Sequence, residues 1–211
     1  MDREALRAEV TTVAPALLGA LVVTGEVVVR ITEVEAYAGA EDPGSHARRG
    51  LTPRCAPMFG DAGRAYVYFT YGMHHCLNVV SGPGGTASAV LIRAGEVLEG
   101  EAVARVRRDA GRATPQAFRD LARGPARLTR ALGVDLDHNG LDLCDAGAAL
   151  TLRVGTTVPG SLVSRGPRVG VRGPGGDGAA FPWRFWVAGA TTVSPYRAAA
   201  PRSAVPRNPR R

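Results

Sequence analysis

The chain has 211 residues, 45% of them hydrophobic, and a formal net charge of +7. This length and composition fit one domain with an apolar core and exclude a chain that is disordered throughout. The positive charge favours a polyanionic partner, nucleic acid before an anionic membrane surface. No run of about 18 apolar residues is present, and the charged start MDREALRAEV is unlike a signal peptide, so we expect a cytoplasmic protein without a membrane span.

The first half of the chain predicts strands that flank one long loop. Alternating apolar residues indicate strands, and a long loop in a compact domain usually carries function. In chain order, the predictions are one or two short helices at 4–20 interrupted by Pro15, a strand-turn-strand unit at 21–37 that turns at Thr24-Gly25, a long loop at 38–63, a strand at 64–72, and a buried hairpin of 76–80 and 88–94 joined through 82–85.

The second half predicts helices followed by short strands. Strands at both ends with helices between them indicate an α+β fold, with a curved mixed or antiparallel, barrel-like sheet and flanking helices. We expect one domain at 1–197 and a disordered tail rich in Arg and Pro at 198–211. The predicted elements are helices at 100–111, from Thr114-Pro115, and from Gly124-Pro125 to Gly133, then strands at 150–154, 167–171 and 184–188, with a flexible surface loop at 170–178.

The segment ITEVEAY places two carboxylates close together. In a regular strand Ile31, Glu33, Glu35 and Tyr37 share one face. Two such carboxylates usually form a solvated face. The functional alternative is a carboxylate held at a strand end beside an aromatic ring, where it acts as a general base.

Aromatic and polar side chains cluster after the long loop. Tyr66, Tyr68 and Tyr71 are three of the five tyrosines, and Asn78 follows them closely. Tyrosines in a strand often belong to the core or the sheet surface. In a basic protein, the cluster also suggests stacking on nucleic-acid bases and hydrogen bonding to their edges. The histidines near this cluster are His46, His74 and His75.

The arginines, cysteines and histidines limit the kinds of site that the chain can form. All 26 basic residues are Arg, which binds phosphate through a planar fork but is not an amine nucleophile. Arg93 ends an apolar run and needs a partner such as Glu35, either for catalysis or as a simple salt bridge. We expect no metal site, because the cysteines lack a Cys-x-x-Cys pair and His74-His75 lack helical ligand spacing.

At these residues the chain resembles the alkyladenine (3-methyladenine) DNA glycosylase family. The resemblance runs from about 13 to about 194. The matching segments are VAPALLG at 13–19, VEAYAG at 34–39 with Glu33 before it, EDPGSHA at 41–47, RGLTPR at 49–54, MFG at 58–60, AYVYFTYGMHHCLNVV at 65–80, AVLIRAGEVLEG at 89–100, GPARLTRALG at 124–133, PRVGV at 167–171 and PWRF at 182–185.

The resemblance implies a monofunctional enzyme that hydrolyses the N-glycosidic bond of flipped-out alkylated or deaminated purines in base excision repair. It implies double-stranded DNA as the partner, no cofactor, a monomer and association with the nucleoid. The implied roles are Glu35 as the base that activates water, Arg93 as its helper, Tyr37 and His46 as a sandwich for the flipped base, Tyr68 as the closure of the pocket, Tyr71 as the side chain that enters the duplex, and Asn78 as a guard against guanine.

One residue departs from the family pattern, and two other functions stay open. The family usually has Asn after TPR, where this chain has Cys55, which puts a loop hydrogen bond in doubt. One alternative is a lesion- or RNA-binding module without activity, although the presence of Glu35 and Arg93 disfavours it. The other is a glycoside hydrolase that uses Glu33 and Glu35, which the basic charge and the tyrosines disfavour.

Overall fold

The computed structural model describes residues 1–200, so most of the predicted tail at 198–211 lies outside the described residues. Within them, eight strands form one antiparallel sheet that does not close into a barrel, which confirms the α+β fold and excludes the mixed sheet. The main path has the order β3-β4-β5-β2-β1-β6, and β8 joins β2 and β7. The strands are β1 Leu21–Thr24, β2 Val27–Tyr37, β3 Ala65–Thr70, β4 His74–Val80, β5 Ala89–Glu99, β6 Leu150–Arg153, β7 Val163–Gly166 and β8 Arg184–Val187.

Four α-helices accompany the sheet within residues 1–200. They are α1 Arg3–Leu6, α2 Val10–Ala16, α3 Glu101–Asp109 and α4 Pro125–Leu132. The α4 helix begins and ends as predicted, with Pro125 in its first turn and Gly133 in the left-handed conformation that closes many helices. No helix in this part of the chain is long and apolar enough to cross a membrane.

Two predicted elements are wrong. The helix expected from Thr114-Pro115 is a loop with one 3-10 turn at Phe118–Asp120, because Gln116 bonds back to Asp109 and the end of α3 instead of continuing a helix. The strand expected at 167–171 is irregular, and β7 lies just before it. There the backbone N–H of Val169 donates to the carboxylate of Glu35 rather than to a neighbouring strand.

Strand β2 is the centre of the sheet, and a bulge divides it. Its pairing with β5 runs from Ile31 opposite Gly95 to Glu33 opposite Ala94, which leaves Thr32 as an extra residue. The extra residue reverses the alternation, so Ile31 and Val34 both pack into the hydrophobic core. The prediction that Ile31 shares a face with the two glutamates is therefore wrong. After the bulge, the core residues alternate with Glu33, Glu35 and Tyr37, which face away from the core.

Candidate active site

A cavity of about 430 Å³ lies on the face of the sheet away from the core. That volume is within the range of small-molecule sites in proteins. Its walls come from β2, β3, β4, β5, the loop at 43–46, the start of α4 and the loop at 169–172. We call it the base cavity. Its lining includes six site residues that the sequence predicted: Tyr37, His46, Tyr68, Tyr71, Asn78 and Arg93.

Glu35 lies behind the cavity wall and is fully buried. One carboxylate oxygen accepts a hydrogen bond from the N–H of Val169 at 2.7 Å. The other accepts one from Tyr37 Oη at 2.7 Å and lies 3.3 Å from Arg93 Nη1. Because Arg93 lines the cavity and contacts Glu35, the carboxylate is held one side chain away from the space where a substrate would lie.

Arg93 also pairs with Glu33, which the sequence analysis did not predict. Arg93 Nε and Arg184 Nε donate to the same oxygen of Glu33, at 2.8 and 2.7 Å, and both Ser194 N and Oγ donate to this carboxylate. Burial alone raises the pKa of Glu33, but the two guanidinium groups and the Ser194 hydrogen bonds hold it below its usual value. Burial opposes the charge of Arg93, yet Glu35 and Glu33 raise its pKa above the ordinary value.

The state of Glu33 disfavours the glycoside hydrolase. Such an enzyme needs two carboxyl groups that reach the scissile bond, one protonated as the acid and one ionised as the base or nucleophile. Glu33 does not line the base cavity, and its lowered pKa and the four donors around it keep it an ionised acceptor. It serves as a counter-charge for two arginines rather than as an acid.

Three tyrosines of the cavity, Tyr37, Tyr66 and Tyr68, stay protonated at neutral pH. Burial, and then the charge of Glu35, raises the pKa of Tyr37 well above its usual value, so its hydroxyl remains a donor to that carboxylate. Burial likewise raises the pKa of Tyr68, and it raises that of Tyr66 to about 12. The cavity therefore presents neutral aromatic rings, which suit stacking with a flat group.

His46 contacts the tyrosines of β3 directly. Its ring meets that of Tyr68 edge to face, with centroids 4.7 Å apart, and its Nδ1 lies 3.0 Å from Tyr66 Oη. Burial, and then the nearby charge of Arg54, lowers the pKa of His46. The imidazole is therefore mostly neutral at neutral pH, and one ring nitrogen can accept a hydrogen bond.

Asn78 and Tyr71 both line the cavity, but Asn78 is buried and Tyr71 is exposed. Asn78 is buried, and its Nδ2 donates to the carbonyl of Tyr66 at 2.9 Å. Tyr71 follows β3 in the turn to β4 and is 85% exposed. It is the only non-glycine residue with a positive φ, 52°, among residues 1–200. This conformation costs about 1–3 kcal/mol and often marks functional positions.

An ion pair behind Tyr37 was missed by the sequence analysis. Arg168 and Asp42 are both fully buried and form two hydrogen bonds of 2.6 Å each. The guanidinium carbon of Arg168 lies 4.5 Å from the ring centroid of Tyr37, and Nη1 donates to the carbonyl of Ala36. The pair therefore connects the end of β2 to the loops that hold Gly44 and Val169, two residues of the cavity wall. Asp42 and Arg168 lie 126 residues apart, so no local pattern indicates their pairing.

The loop with Cys55 keeps a hydrogen-bonded structure. The buried thiol lies 3.0 Å from Thr52 Oγ1, accepts from the N–H of Thr52, and donates to the carbonyl of Gly50. The sulfur thus makes hydrogen bonds within this loop, at the position where the family usually has Asn. All three cysteines are free thiols, and within residues 1–200 no group of three or more His, Cys, Asp or Glu residues is placed to hold a metal ion.

Taken together, an aromatic cavity with Arg93 in its wall and the buried carboxylate of Glu35 behind it defines an enzyme site for a flat cyclic group such as a nucleobase. The model of the methylpurine-DNA glycosylase family matches residues 4–191. The chain belongs to that family. It is a DNA glycosylase, a hydrolase that acts on the N-glycosyl bonds of alkylated purines in DNA repair.

Curated relatives cover almost the whole chain. A protein of Streptomyces avermitilis is 53% identical over 207 residues, 96% of this chain and 94% of its own. One of Leifsonia xyli is 53% identical over 202 residues, 92% of each chain, and one of Nocardia farcinica is 48% identical over 214 residues, 98% of this chain and 97% of its own. Each is named "Putative 3-methyladenine DNA glycosylase".

Proposed function

We propose that this enzyme is a monofunctional glycosylase that works as a monomer, without a cofactor, on the chromosomal DNA of the cytoplasm. It removes flipped-out alkylated or deaminated purines, 3-methyladenine among them, from double-stranded DNA. The observation that carries the proposal is the buried pair of Glu35 and Arg93, with Arg93 in the wall of a cavity lined with aromatic side chains and Glu35 behind that wall.

The reaction begins with extrusion of the damaged nucleotide, because a stacked base hides its glycosidic bond. The base then lies among Tyr37, His46 and Tyr68. Glu35 takes a proton from a water molecule whose oxygen forms a bond to the sugar C1′. The bond between C1′ and the base nitrogen breaks, and its electrons leave with the base.

The charge of the lesion decides how easily the base leaves. A cationic alkylated purine becomes neutral on departure, and it stacks favourably on the rings of the base cavity. A neutral deaminated purine requires a proton on the base. Asn78 lies buried in the cavity wall, and we assign it the exclusion of guanine through crowding of the exocyclic amine.

Replacing Tyr71 by Ala is expected to weaken binding to a lesion duplex more than binding to the same lesion in a single strand. The exposed ring can fill the gap left by a flipped nucleotide, and only a duplex has a stack to restore. Dissociation constants for the two substrates, measured at one salt concentration, test this. Phe69→Ala is the matched control, because Phe69 contacts His75 instead of lining the base cavity. Equal losses on both substrates would make Tyr71 an ordinary packing residue.

The enzyme is also expected to release the base without cutting the strand. Enzymes that nick the backbone form a Schiff base through an amine, and this chain has no Lys. The α-amino group of Met1 donates to the carbonyl of Leu152 in β6, at 3.1 Å, at the end of the main strand path away from β3. Borohydride added during the reaction should trap no protein on the DNA, and the abasic strand should stay intact until alkali is added. Efficient trapping would refute hydrolysis through water activated by Glu35.

A further inference from the structure

A second concave site lies beside the base cavity, between α3, α4 and the beginning of β4. Its volume is about 700 Å³, and it shares His74 and Ala126 with the base cavity. We call it the arginine crevice, because its lining contains five arginines: Arg107, Arg108, Arg112, Arg127 and Arg130.

Within the described part of the chain, most of this positive charge has no acidic partner. Among residues 1–200, only Arg127 of the five forms an ion pair, with Asp120 at 3.2 Å. Arg108 is 7% exposed and donates to two neutral oxygens, the carbonyl of Leu121 and the side chain of Gln116. The one carboxylate in the lining, Asp135, pairs with His138.

Besides burial, the neighbouring arginines help to lower the pKa of Arg108. Burial, and then the charges of Arg127, Arg130 and Arg112, lower its pKa to about 10. The guanidinium therefore remains charged at neutral pH, although its neighbours repel it. An anion in the crevice would relieve that repulsion.

Two of the arginines are also fixed in place by side-chain contacts with the backbone between α3 and α4. Arg107 Nη1 donates to the carbonyl of Ala131, and Arg130 Nε donates to the carbonyl of Arg107. Each of these hydrogen bonds uses one nitrogen of its guanidinium. The other N–H groups can donate to a ligand, and their number suits an anion with several acceptor oxygens.

We propose that the arginine crevice binds one or two backbone phosphates of the DNA strand whose base occupies the base cavity. The proposal rests on the proposed function. Continuity of the two sites favours a strand phosphate over a free anion, because His74 and Ala126 line both. Met73, in the lining of the crevice, follows Tyr71 by two residues, so the phosphates would flank the extruded nucleotide.

The test uses Arg112→Ala, because Arg112 is exposed and its removal should not disturb the fold. The control is Arg153→Ala, an exposed arginine at the end of β6, which removes the same charge from the far edge of the sheet. Each protein binds lesion duplexes in which one phosphate at a time is replaced by a neutral methylphosphonate. Equal thermal melting of the variants shows that both are folded.

For the wild type, neutralising one or two phosphates beside the lesion should weaken binding. In Arg112→Ala the effect at those positions should shrink, and the slope of log affinity against log salt should become less steep by about 0.9 per lost contact. In Arg153→Ala both measurements should match the wild type. Equal sensitivity of Arg112→Ala and the wild type at every position would overturn the proposal.

Competition by inorganic phosphate at constant ionic strength separates the two sources of the anion. Competition through Arg112 without any position-dependent methylphosphonate effect would assign the crevice to a free anion and also overturn the proposal.

Failure of the proposed function would give a different result from failure of this proposal. In that case the wild type would release no base, whereas the phosphate map depends only on binding and could still be measured.

Discussion

Replacing Glu35 by Gln should lower the single-turnover rate of base release by about 10²–10⁴-fold, the usual contribution of a general base. The amide keeps the shape of the side chain but cannot take a proton from water. Binding of the lesion duplex should stay close to that of the wild type, because the residues that line the cavity are unchanged. Rates are measured with enzyme in excess over DNA, so that product release does not limit them.

Glu96→Gln is the matched control for this prediction. Glu96 lies on β5, is partly exposed and pairs with Arg30, away from the base cavity. The same chemical change there should leave the rate of base release unaltered. If Glu35→Gln retained more than about a tenth of the wild-type rate, Glu35 would not be the base.

Replacing Arg168 by Met should lower the free energy of unfolding by roughly 3–5 kcal/mol, because it leaves the buried charge of Asp42 without a partner. The double variant Arg168→Met with Asp42→Asn should recover part of this loss, since neither charge then remains. Urea unfolding of the two single variants and the double variant gives the coupling between the sites.

The partly exposed pair Arg30 and Glu96 provides the comparison for Arg168. Arg30→Met should cost no more than about 1 kcal/mol, because water screens that pair and solvates the glutamate left behind. A double variant at Arg168 and Asp42 whose loss equals the sum of the two single losses would show that the two charges do not depend on each other.

Local patterns in the sequence predicted every strand except β7, in whose place they predicted a strand at 167–171, and they did not predict the bulge at Thr32. A bulge depends on the pairing of β2 with β5, and nothing in the residues around Thr32 distinguishes it from a regular strand position. The bulge matters because it allows Ile31 and Val34 to share the core while Glu33 and Glu35 face the other way.

The candidate site residues came from local clusters and from the resemblance to a family. The sheet brings them together because β4 and β2 are both neighbours of β5, so that Asn78 and Glu35 pair with the same residue, Leu91. The supporting contacts were not predictable in this way. Arg168 reaches Asp42 across 126 residues, and Ser194 reaches Glu33 across 161, so only the folded chain reveals these partners.

Release of free base from defined duplexes tests whether this enzyme excises damaged purines by hydrolysis. Duplexes that each carry one 3-methyladenine, 7-methylguanine, hypoxanthine or ethenoadenine are incubated with excess enzyme, and the free base and the strand are analysed separately. We expect release of at least one of these purines, with an intact abasic strand as the second product. Tight binding to the lesion duplexes without release of any base, by enzyme that is fully folded, would contradict it.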